Sequence, residues 1–173
     1  LDDSEVATGR DLELDDAGGL IAVGNWDGIA VRRFRPDGSQ AGTTLGLNQT
    51  AASLWGVAGL TRDEHDILTV VWETSVEDGP QRVVGRRATV SGVPLGGEFR
   101  VSDDPDHLQF DPALASLADG RTLIAWTTTT DDGGTDVMVR TFAASVSDAA
   151  GTRPGGGRAG DRTPPEVPVR SRP

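Results

Sequence analysis

The 173-residue chain has no cysteine, no lysine and no tyrosine, and it holds one methionine and two histidines. Without cysteine there are no disulfides, no thiol nucleophile and no thiolate metal sites, and the redox compartment is left undetermined. All 16 basic residues are arginine, which leans towards the coding habit of a GC-rich bacterial genome. No apolar run approaches the ~18 residues that a membrane-spanning helix needs, so no membrane span is expected. The sequence starts at Leu1 without a leader pattern, as expected of a processed product or a piece of a longer protein. Positive charge is also scarce: 27 acidic side chains against 16 basic give a net charge of −11. That balance argues against nucleic acid as a partner, because phosphate recognition depends on a basic stripe.

What the chain does have is a repeat. Arg32, Arg86 and Arg140 are spaced 54 residues apart, as are Ile29, Val83 and Val137, and Phe34, Ala88 and Phe142. A fixed step of this length marks an architecture built from copies of one supersecondary unit. The 20 aspartates, 7 glutamates and 23 glycines favour turns over helices. The units therefore read as short strands separated by turns, in copies over about 10–48, 52–102 and 110–150.

In the third copy ALASLADG, RTLIAWTTTT and TDVMVRTF are three strands; SLWGVAGL, DILTVVWET and QRVVGRRA match them in the second, and DLELDDAG, GLIAVGNW and GIAVRRF in the first. A fourth strand is expected at TTLGL and GEFRV, each after a turn at Gly38 or Gly92. In the third copy that strand should begin at Arg153, which falls in a Gly/Pro segment, so the array is expected to stop mid-unit. Strands such as LIAV, TVVW and LIAW are continuous apolar runs, as in sheets covered on both faces. The competing architecture, a β-sandwich, would leave one face of each strand polar.

Residues 151–173 differ from the rest. Ten of the 23 are Gly or Pro, and five arginines against Asp161 and Glu166 make the segment basic. It cannot bury enough apolar surface to offset its ordering entropy, and reads as a disordered tail or linker. The domain reading is thus a repeat array over 1–150 and a tail over 151–173.

The pattern resembles the roughly 50-residue β-propeller repeats of large secreted or surface-attached bacterial proteins. The third copy carries Pro112, Ala118-Asp119-Gly120, an apolar run from Leu123 to Trp126, the Asp131–Gly134 loop and Arg140-Thr141-Phe142. The second supplies Trp72, Gly92, Gly96-Gly97 and Glu98-Phe99, while the first has Arg33-Phe34 and Asp37-Gly38 but Val23 where Trp is expected. The resemblance implies an all-β partial propeller of about two and a half to three four-stranded antiparallel blades. It also implies an extracellular or cell-surface location and a non-catalytic role. Propellers close with about four to eight blades, so the partners expected are further blades of a parent protein or other copies of the chain.

Few residues suggest chemistry. Arg32, Arg86 and Arg140 are candidates for an anionic-ligand site in each copy, against a structural role between blades. Trp26, beside an Asp-Gly turn, is a candidate for stacking on a sugar, whereas Trp72 and Trp126 are expected in the core. Asp131, Asp132 and Asp136 bracket two glycines and are candidate calcium ligands, although neither the EF-hand nor the nonapeptide spacing is met. His65 and His107 fall in loops, and no P-loop, G-x-S-x-G or H-x-x-x-H motif occurs. Asn48-Gln49-Thr50 is a formal glycosylation sequon. The leading expectation is a binding or scaffolding module for a glycan or protein ligand, not an enzyme. The alternatives are a fragment of a sialidase-like propeller hydrolase with its catalytic residues elsewhere, and a calcium-stabilised adhesin module. The absence of tyrosine, the sialidase nucleophile, counts against the hydrolase.

Overall fold

The computed structural model describes residues 8–25, 28–49, 53–75, 79–143 and 167–169. Among them there is no helix. Twelve strands form three antiparallel four-stranded sheets. The first sheet holds β1 (Thr8–Leu14), β2 (Leu20–Asn25), β3 (Ile29–Phe34) and β4 (Leu45–Gly46). The second holds β5 (Ser53–Arg62), β6 (Ile67–Ser75), β7 (Gln81–Thr89) and β8 (Pro94–Arg100). The third holds β9 (Gln109–Ser116), β10 (Thr122–Thr129), β11 (Thr135–Phe142) and β12 (Val167–Val169). In each, the strands lie side by side in chain order.

The fourth strand of the third sheet departs from expectation. The array does not stop at three strands, because Val167–Val169 pairs antiparallel with β11, Val169 opposite Val137. Ile29–Leu47 and Val83–Val101 are joined by backbone bonds at the same place in the first two sheets. The strand falls fourteen residues beyond the 54-residue step, which is why the repeat does not reveal it. The rest of the 151–173 segment lies outside the described residues.

Each first hairpin closes the same way. Asp15, Asp63 and Leu117 donate their N–H across the turn to Gly19, Ile67 and Arg121. One residue in each turn is left-handed: Gly18 at φ 77°, Asp66 at 60° and Gly120 at 78°. Two are glycine because the conformation costs glycine nothing, and Asp is among the few side chains that tolerate it.

Strand register corrects one detail of the repeat. Ala22 lies opposite Arg32 and Val70 opposite Arg86, so Gly24, not Val23, occupies the place of Trp72 and Trp126. Val23 points to the other face and joins the core.

The sheets stack through two cores. Ile21, Val23, Ile29, Val31 and Leu47 of the first sheet meet Leu60, Leu68, Val70, Trp72 and Ala88 of the second. Val71, Val83 and Val101 on the opposite face of the second meet Ile124 and Trp126 of the third, with Phe99, Leu114, Met138 and Phe142 around them. The second sheet is therefore covered on both faces, as the unbroken run Ile67–Trp72 requires. Each buried Trp removes a large apolar surface from water, worth roughly 1.5–3 kcal/mol on the scale of large apolar side chains. The first strands pack together in series, β1 on β5 and β5 on β9.

Candidate functional site

The triplet of arginines lies at one place in three sheets, on β3, β7 and β11. In two of them it joins one sheet to the sheet before. Arg86 donates from Nη1 to the carbonyl of Leu47 at 2.9 Å, and Arg140 from Nη1 to the carbonyl of Val101 at 2.9 Å. Leu47 and Val101 are themselves 54 apart and fully buried. Nε of Arg86 bonds the Gly96 carbonyl at 3.2 Å, and Nε of Arg32 bonds Thr44 Oγ1 at 3.1 Å. Arg140 is 4% exposed, pairs with Asp103 at 3.1 Å and lies 5.5 Å from the centre of the Phe142 ring. Phe142 in turn meets Phe99 at 5.2 Å, with the Arg87 guanidinium 5.9 Å from the Phe99 ring. Burial pushes the Arg87 pKa down, opposed by the charge of Asp63. These guanidiniums sit between sheets, where a planar fork can serve a carbonyl and an aromatic face together. Arg86 and Arg140 thus each spend one guanidinium N–H on a carbonyl of the preceding sheet. Trp26 lies outside the described residues. Trp72 and Trp126 are core residues at 1% exposure.

The cluster that sequence reading passes over is centred on His107. Its Nδ1 is 2.8 Å from Asp104 Oδ2 and its Nε2 is 3.2 Å from Asp131 Oδ1. Asp104 is set by the β8–β9 connection, where its Oδ1 caps the N–H of Asp106 and its own N–H bonds Ser102 Oγ. Asp131 opens the turn between β10 and β11. The bonds to Asp104 and then to Asp131 raise the His107 pKa above its ordinary 6.5. Burial pushes the Asp104 carboxyl up, but the Asp106 N–H and the His107 ring outweigh it and hold the group below the usual carboxylate range. Beside the histidine is a cavity of about 220 Å³ lined by Ser102, Asp104, Trp126, Thr128 and Met138, among others.

With a carboxylate facing each ring nitrogen, the imidazole is favoured as a cation that donates both protons. Both ring nitrogens face carboxylates, whereas the base of a Ser–His–Asp triad turns one nitrogen to a serine hydroxyl. The cavity is also smaller than the ~300–1,000 Å³ of typical small-molecule pockets. The arrangement ties a loop to a hairpin.

The calcium candidates divide among different tasks. Asp131 faces His107, whereas Asp132 accepts from Thr130 Oγ1 and from the Gly134 N–H. Asp136 lies on β11 opposite Thr128. Among the described residues, no group of three His, Cys, Asp or Glu is placed to hold a metal ion. His65 follows Asp63, whose Oδ1 accepts the His65 backbone N–H in the hairpin turn.

No protein-family model matches the chain, and no curated protein matches it either.

Proposed function

We propose that the chain is a β-propeller-type segment of an extracellular or cell-surface protein and acts as a binding or scaffolding module for a glycan or protein. The observation that carries this reading is the repeated clasp, Arg86 to Leu47 and Arg140 to Val101. It makes each sheet depend on the one before, as blades in a radial array do. The gathering of β1, β5 and β9 along one side of the stack supports the same reading, since propeller blades bring their first strands together. A scaffold role also agrees with where the charged groups are used. Arg86 and Arg140 hold sheets together, and His107 holds loops together. The hydrolase alternative loses the residues it most needs when these arginines are internal ties.

Screening the immobilised chain on a glycan array, with parallel pull-downs from culture medium, tests the role. Saturable binding of one glycan class or one recurrent protein, with no turnover, is expected. Glycoside hydrolysis that follows the chain through purification and disappears on heat denaturation would overturn it.

A further inference from the structure

The two internal interfaces share a pattern that can be extended to the ends of the stack. Through strand register, Leu12 (opposite Ala22) holds the place of Leu60 (opposite Val70) and Leu114 (opposite Ile124). Leu60 is 3% exposed against the first sheet and Leu114 packs into the second core, whereas Leu12 is 60% exposed. The opposite end shows the same break. Ile29 and Val83 are fully buried facing the next sheet, whereas Val137, one further step along, is 44% exposed. Arg32 shares the Leu12 face, since both lie in register with Ala22. Val169 holds the place of Leu47 and Val101, the residues whose carbonyls accept the other two arginines.

Resting on the blade reading above, we infer that two copies of this chain pack head to tail, with the Leu12–Arg32 face of each against the Val137–Val169 face of the other. Leu12 joins Val137 in a shared core as Leu60 joins Ile29 in the first core, and Arg32 reaches the Val169 carbonyl of the second copy. The occupant is identified by the chain itself. Each internal interface joins a sheet of this repeat to another of the same kind, and a single copy carries both halves of a third such interface. A heterologous contact of this kind closes into a ring when the rotation per sheet permits. Two copies bring six sheets, within the roughly four to eight that close a propeller, while three bring more than that range.

Light scattering on the full chain and two surface variants tests the arrangement. The wild type should have twice the 18.1 kDa mass of one chain. Leu12→Glu and Val137→Glu, both at exposed positions, should each halve the mass while keeping the far-ultraviolet signal of the folded sheet. Mixed one to one, they should recover a dimer, because each keeps the face the other has lost. Arg32→Ala should weaken dimerisation without changing the sheet signal. A wild-type chain that stays at single mass overturns the inference but leaves the blade reading intact. So does a Leu12→Glu variant that loses the dimer while Val137→Glu keeps it, since that marks a face-to-itself contact. A wild-type chain without a β-sheet signal instead ends the blade reading itself.

Discussion

Arg140 and Val101 are joined across two sheets by a 2.9 Å bond from guanidinium to carbonyl, and Arg86 and Leu47 repeat that bond one unit earlier. A local motif would not need such regularity over 39 residues of sequence separation. The bond is part of how one unit seats on the next.

Removing the buried member of this pair should be costly. Arg140→Ala leaves the Val101 carbonyl without its donor in a region closed to water, a loss of about 1–3 kcal/mol. The ion pair with exposed Asp103 adds little. Arg86→Ala, at a more exposed position, should cost less, about 1 kcal/mol. Arg140→Lys keeps the charge but not the fork, and should restore only part of the loss. Urea midpoints of the three variants check the order. Equal midpoints for Arg140→Ala and wild type would show that the clasp does not contribute to stability.

The histidine cluster predicts a pH dependence of definite sign. The His107 pKa is raised in the folded protein, so its contribution is fully present below the ordinary value of 6.5 and is lost as pH climbs through the folded value. The lowered Asp104 pKa acts in the opposite window. Its contribution is present above the ordinary 3.8 and is lost as pH falls through the folded value. An imidazole resonance for His107 titrating above 6.5, and moving down in Asp104→Asn, is the expected result. Titration at or below the ordinary value would mean that the ring is not held between the two carboxylates.

Two strand glycines should respond differently to a methyl group. A Cβ at Gly85 would come within 2.7 Å of the Phe99 ring and 2.9 Å of the Val70 carbonyl, so Gly85→Ala should destabilise by about 1–3 kcal/mol. At Gly46 nothing lies within 4 Å, and Gly46→Ala should change little. Thermal melts of both variants measure the contrast, and a Gly85→Ala midpoint as high as that of Gly46→Ala would overturn it.

Calcium should not alter the melt. Asp131 and Asp132 already serve His107 and the β10–β11 turn. Recruiting them would break those bonds, and a ion bound only by the folded form must raise the midpoint. Matching melts with calcium and with chelator are expected. A clear rise with calcium would require a site outside the contacts described above.

Sequence alone determined the strand-and-turn character, the 54-residue step and the antiparallel order of the strands within each unit. Those features depend on local preferences: glycine and aspartate where the chain reverses, and unbroken apolar runs where both faces are covered. It did not show that Gly24 stands in for tryptophan: the β2–β3 hairpin is shorter than its counterparts, with Ala22 opposite Arg32 10 residues on while Val70 and Ile124 lie opposite arginines 16 residues on, and only cross-strand pairing reveals that difference. Nor did it find β12, whose displacement along the chain breaks the period. The roles of the arginines and of His107 were decided by tertiary structure. Arg140 finds its carbonyl 39 residues away and His107 its second carboxylate 24 residues away. Contacts at that separation are set by how sheets stack and loops meet, which no short stretch of residues encodes.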